Sequence, residues 1–261
     1  MSGLTGNKAV ITKRIHLFLL WLLAACFLLP CGTAAWAEEN PSAPVETDSV
    51  TGYPVVTFGR WQIDTDFSGT EGVQDPIEWL VLENDGKKAL LLSRYILEVT
   101  AFHKMSFKDT KGKVWSQSSL RTWLNGDFFK GAFTKEEQKA ILSSSLKNPP
   151  GPQTTTKGGN SKDRLFLLSY EELEKYLPVQ ESRMASRTAF ASVLMQNQGY
   201  SVEDGVQPDS WWLRTPGFNV AMALLVEKDG SVDLKKGEQS VQPRGVRPAL
   251  WVDVKKMPSM E

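Results

Sequence analysis

Ile77-Glu78-Trp79-Leu80-Val81-Leu82 and Lys88-Ala89-Leu90-Leu91-Leu92-Ser93, joined through Asn84-Asp85-Gly86, decide the fold. Both runs have the length of strands, and Asn, Asp and Gly tolerate the positive φ that a tight hairpin turn demands. The second run is apolar on both faces, so it needs cover on each side. On the N-terminal side, Val55 to Gln62 is rich in β-branched and aromatic residues and predicts the first strand. On the C-terminal side, Ser116 or Ser118 caps a predicted helix in which Leu120, Trp123 and Leu124 recur on one face, ending at Gly126. Thr134-Lys135-Glu136-Glu137 and Ser169-Tyr170-Glu171-Glu172 are capping boxes that open two more helices. Between them, Asn148 to Asp163 holds three prolines and three glycines and reads as an irregular loop, followed by a short buried strand at Arg164 to Leu168.

The last third returns to strand. Trp211-Trp212-Leu213-Arg214 runs into a turn at Thr215-Pro216-Gly217. Ala221 to Val226 and Ser231 to Leu234 flank the turn residues Lys228-Asp229-Gly230, and Val246 to Val254 closes the domain. Strands at both ends with helices between them predict an α+β domain over residues 55–255. Its expected features are mixed, mostly antiparallel sheets, two to four short helices, long loops and paired terminal strands.

The first 37 residues differ from the rest. Lys8, Lys13 and Arg14 precede an apolar run from Ile15 to Leu29, and Ala35-Trp36-Ala37 has the A-x-A form of a cleavage site. This predicts a signal peptide over residues 1–37 and a secreted or periplasmic product. Leu23-Ala24-Ala25-Cys26 offers the alternative of a lipoprotein anchored through Cys26, although that cysteine opens onto Phe27-Leu28-Leu29-Pro30 instead of a polar tether. Residues 38–54 are polar and proline-bearing and are expected as a flexible linker, and 256–261 as a C-terminal tail.

Composition excludes several functions. The 261 residues carry 30 basic and 30 acidic side chains, and loss of the first 37 would leave a net charge of −3. Nucleic acid is not an expected partner, because phosphate binding needs a basic surface. No membrane span is expected after signal cleavage. Both cysteines, Cys26 and Cys31, and His16 lie in the leader, which leaves His103 as the one histidine of the exported chain. Thiolate catalysis, a disulfide and a cysteine or multi-histidine zinc site are thereby excluded from that product. The chain has no G-x-S-x-G, G-x-G-x-x-G or G-x-x-x-x-G-K-[ST] motif.

Six blocks occur in the order that resembles Domain of Unknown Function family 6273, a group of bacterial and often exported proteins. They are Phe58 to Trp61, Pro76 to Leu82, Ser119 to Asn125, Phe133 to Ile141, Trp211 to Gly217 and Gly245 to Trp251. The resemblance spans about residues 55 to 254. The Trp-x-Leu-Arg strand, the glycine turn and the closing Gly-Val-Arg-Pro also resemble C-type-lectin-like domains of the formylglycine-generating-enzyme type. That second resemblance implies ligand-binding loops beside paired terminal strands, but its oxidase chemistry needs cysteines that residues 38–261 lack.

The expected function is a non-enzymatic module that binds glycan or protein at the cell envelope, through Trp211, Trp212, Arg214, Asn219 and Arg247. Successive strand residues point to opposite faces, so one of the two indoles is free to stack on a sugar unless a second layer covers it. The competing reading makes both indoles core and pairs Arg214 and Arg247 with carboxylates such as Glu78. No cofactor is expected, with one exception. Asp64, Asp66, Ser68 and Asp75 have the oxygen spacing of a calcium loop, although they join predicted strands where such loops join helices. The alternatives to a binding module are a carbohydrate-acting hydrolase using paired carboxylates and a lipid-anchored structural envelope protein.

Overall fold

The computed structural model describes residues 46–65, 74–105, 111–202 and 207–257. The strands are β1 (Val55–Trp61), β2 (Asp75–Asn84), β3 (Lys88–Ser93), β4 (Glu98–Ala101), β5 (Ser144–Leu146), β6 (Ser161–Asp163), β7 (Leu165–Phe166), β8 (Trp211–Pro216), β9 (Met222–Val226), β10 (Glu238–Gln239), β11 (Pro243–Val246) and β12 (Ala249–Asp253). The helices are α1 (Ser119–Trp123), α2 (Phe129–Ala132), α3 (Lys135–Ala140), α4 (Tyr170–Tyr176), α5 (Gln180–Arg183) and α6 (Ala189–Asn197). The fold is therefore α+β, with six short helices among the described residues where two to four were expected. None of those helices is long and apolar enough to cross a membrane.

Two five-stranded sheets carry the fold. The first has the order β1-β2-β3-β12-β7 and the second β10-β9-β8-β11-β4, while β5 and β6 form a small ribbon. Every pairing of named strands is antiparallel except β11 with β8. The hairpin of β2 and β3 forms as the sequence predicts, and Ala89 to Leu92 are buried as a doubly covered strand must be. Its second neighbour is β12, which pairs Leu250 with Leu91. The terminal strands thus share a sheet without pairing, since β2 and β3 lie between β1 and β12.

Val246 to Val254 is not one strand. Val246 is the last residue of β11 in the second sheet, while Ala249–Asp253 form β12 in the first, with Arg247-Pro248 as the crossover. Pro248 has no N–H for a ladder, but its carbonyl accepts from Ser93 N at 2.9 Å. Ser231 to Leu234 is not a strand either. The Lys228-Asp229-Gly230 turn forms, with Glu227 N donating to Ser231 O, yet β9 pairs with β10 farther along the chain.

The helix capped by Ser118 passes through Gly126 instead of stopping there. It widens into a π turn over Leu124–Phe128 and continues as α2, because Phe128, Phe129 and Phe133 all bury. Phe133 stacks 5.2 Å from Phe58 and 6.4 Å from Trp79, which ties these helices to the first sheet. Both capping boxes form as read. Residues 46–54, expected within a flexible linker, belong to the domain. Thr47 bridges Pro54, and Arg94 binds Glu46 at 2.8 Å and Asp48 at 3.0 Å. At the other end, the buried Met257 extends the body beyond residue 255.

Candidate functional site

Trp211 and Trp212 point to opposite faces of β8, as alternation requires, and both are fully buried. Trp211 Nε1 donates to Arg183 O and Trp212 Nε1 to Thr100 O, each at 3.0 Å, while Trp212 meets Phe102 edge-on at 5.5 Å. Each face of the strand has its own cover, so neither indole is available to a sugar. The expected stacking surface is absent at these two positions because burial takes the whole aromatic area.

Arg214 is 3% exposed and its donors are committed. Nε donates to Asn148 Oδ1 at 2.8 Å, Nη1 to Leu167 O at 2.6 Å and Nη2 to Glu172 Oε1 at 2.8 Å, with a further Nη1 bond to Glu172 Oε2. It staples β8 to α4 and to the Asn148 loop, so the carboxylate partner is Glu172 and not Glu78, which binds Arg94. Asn148 also closes its own loop, accepting from Gly158 N at 2.9 Å and donating to Gly159 O at 2.6 Å. Asn219 lies exposed in the β8–β9 turn, where Oδ1 accepts from Ala221 N at 2.8 Å. Arg247 is 1% exposed and sits over Trp211 at 5.1 Å. The five residues are therefore not gathered at one surface.

Of the calcium loop, Asp66 and Ser68 lie outside the described residues, as do the signal peptide and Cys26. Asp75 Oδ2 accepts from the N–H groups of Ile63 and Asp64 at 3.3 Å, which closes the base of that loop. No cluster of three metal-ligating side chains occurs among the described residues. His103 is buried, and its Nδ1 accepts from Ser119 N at 3.2 Å, at the start of α1.

The sequence reading missed a cleft of about 800 Å³ between β4, the segment from α1 through the π turn, and α6. One wall is β4, which presents Glu98 and Thr100. The opposite wall presents Ser119, Thr122, the half-buried Trp123 and the exposed Asp127, and α6 adds Leu194 and Gln198. Trp123 packs against Phe128 at 5.3 Å and meets Trp61 in a T-shaped contact at 6.1 Å. Gly126 also opens on the cleft, and a Cβ added there would meet nothing within 4 Å. The π turn brings Gly126 and Asp127 to the cleft wall, a placement such turns often have at functional sites.

Glu98 is the unusual group. Burial pushes its carboxyl up to about 7, against the hydrogen bond from Val99 N at 3.1 Å and the charge of Lys104. A cleft lined by an indole, hydroxyls, an amide, and acids and a base within one opening has the composition of a small-molecule site. In the sequence, Glu98 is the single charge within Tyr95 to Phe102, and that interruption of an apolar run was the available signal.

No curated protein and no solved structure matches the chain. The model of one family, described as Domain of unknown function (DUF6273), matches residues 86–254, more than half of the sequence. The matched span starts in the turn between β2 and β3 and includes the cleft, Arg214 and Arg247, whereas the resemblance read from the sequence began near residue 55. The chain belongs to the DUF6273 family.

Proposed function

We propose that the protein is a binding domain that holds a glycan at the cell envelope, in the cleft between β4, α1 and α6. The observation that carries this reading is the half-buried Trp123 flanked by Thr122, Asp127 and Gln198 in one opening of about 800 Å³. An indole face supplies apolar contact to the C–H face of a sugar ring, and amide, hydroxyl and carboxylate groups take its hydroxyls. The envelope setting rests on the predicted signal peptide, and a C-type-lectin-like kinship rests on the Trp-x-Leu-Arg and Gly-Val-Arg-Pro blocks. The test is titration with a panel of neutral and amino-sugar oligosaccharides. Asp127→Ala and Gln198→Ala are expected to weaken binding at least about tenfold, roughly the loss of one or two hydrogen bonds to a charged or amide group. Binding unchanged in both variants would refute the location.

A second reading has its own support. Glu98, held near 7, and Asp127 line the same cleft, which suits a general acid and a second carboxylate in glycoside hydrolysis. The two readings separate on Glu98→Gln. A binding domain keeps its ligand with that change, while a hydrolase loses turnover by about two to four orders of magnitude.

A further inference from the structure

A separate hollow of about 210 Å³ lies where the Asp48–Thr51 turn, Arg94-Tyr95 and Met184-Ala185-Ser186 meet at Arg247. Arg247 occupies the crossover between the two sheets, so its side chain is fixed by both of them. Its Nε donates to Ser93 O at 2.8 Å, and its guanidinium packs on Trp211. Its Nη1 is buried and has no hydrogen-bond partner among the described residues. A buried guanidinium left without a carboxylate costs several kcal/mol. Burial draws its pKa down to about 9 while the charge of Asp48 opposes the drop, so it is cationic at neutral pH.

The carboxylates around the hollow are already committed. Asp48 Oδ1 accepts from Val50 N, Thr51 N and the Thr51 hydroxyl, and Oδ2 accepts from Arg94 Nε. Arg94 is shared further with Glu46 and Glu78, each at 2.8 Å. Three acids around one arginine leave that rim net negative even after Arg247 is added, and what Arg247 lacks is a hydrogen-bond acceptor at Nη1. A doubly charged ligand is therefore disfavoured by the rim, and a singly charged planar one matches the guanidinium fork. The volume equals that of roughly seven waters at about 30 Å³ each, which admits a molecule from acetate to a small amino acid in size.

We propose that the hollow is a binding site for a small monocarboxylate, with the carboxylate accepting from Arg247 Nη1. This site is independent of the Glu98 cleft, and its failure leaves that cleft untouched. The test is thermal unfolding of the purified protein at pH 7 and fixed ionic strength, with acetate, chloride or phosphate as the sodium salt. Acetate is expected to raise the midpoint with concentration, by at least about 3 °C at a hundredfold excess over its dissociation constant. Chloride should give no such rise and phosphate a smaller one. Arg247→Met, which keeps the stem and removes the donors, is expected to abolish the acetate response. If that variant does not fold, Val50→Trp serves, since Val50 is 62% exposed at the mouth and a bulky ring there obstructs entry. Equal shifts in acetate and chloride, a phosphate shift matching that of acetate, or an undiminished acetate shift in the folded variant would overturn the proposal.

Discussion

Glu98 ties the stability of this domain to pH. Its carboxyl titrates at about 7 in the folded protein, against an ordinary value of 4.5. Between those values the folded state holds a proton that the unfolded state has released, so stability falls as pH rises through that window. Glu98→Gln keeps the acceptor for Val99 N and removes the charge. At about pH 8 it is expected to be more stable than the parent by on the order of 2 kcal/mol, less than the full shift because cleft water screens the charge. At about pH 4 the gap should close. Urea unfolding at both pH values checks it, and a gap independent of pH contradicts the assignment. Asp163 makes a second residue-level case. Its buried carboxylate accepts from Trp115 Nε1 at 2.9 Å, Arg121 Nε at 2.6 Å and Ser161 Oγ at 2.8 Å. Asp163→Ala leaves an indole N–H and a guanidinium without their acceptor and should cost about 3 kcal/mol in the same assay. At this scale the sequence was partly readable. It showed that the two indoles of β8 face opposite ways, but their burial depends on Arg183 and Thr100, which lie far away in the chain. Glu98 was not singled out in the sequence, because its burial comes from segments distant in the chain.

At the level of elements, local chemistry was the readable part. The β2–β3 turn and the two capping boxes are specified by three or four consecutive residues, and each formed as predicted. Partner choice between distant strands was not readable, which is why β12 was joined to β11 and Ser231 to Leu234 was read as a strand. Two glycines make the point testable. Gly59 adopts φ 69° in the β1 bulge, and a Cβ there would approach Ala132 O to 2.8 Å and the Phe133 ring to 2.5 Å. Its N–H also donates to Glu137, the acid of the α3 capping box, at 3.1 Å. Gly59→Ala is expected to destabilise by about 2 kcal/mol or more through backbone strain and overpacking. Gly126 lies in the π turn with open space around it, so Gly126→Ala should be neutral or stabilising by up to about 1 kcal/mol. Melting curves that rank the two variants the other way would contradict the packing described for β1 and α2.

For the whole molecule, the two sheets meet at Arg247-Pro248 and are closed at the N-terminal side by the Glu46–Pro54 turn. Arg94 receives Glu46, Asp48 and Glu78, and these hydrogen bonds raise its pKa despite burial, Glu78 and Glu46 contributing most. A chain beginning at Val55 leaves Arg94 with Glu78 alone. It is expected to melt several degrees below one beginning at Glu38, on the order of 1–2 kcal/mol. Equal melting points would place the turn outside the cooperative unit. The α+β class was legible from the order of strand and helix signals, whereas the cleft was not, because its three segments are spread between Glu98 and Gln198. Amide chemical-shift mapping during an oligosaccharide titration tests most directly whether the proposed cleft holds the ligand. The expected shifts fall on residues 98–101, 119–127 and 194–198, with the Trp123 indole N–H among the largest. Shifts gathered instead on the β8–β9 turn around Asn219, with the cleft silent, would contradict it.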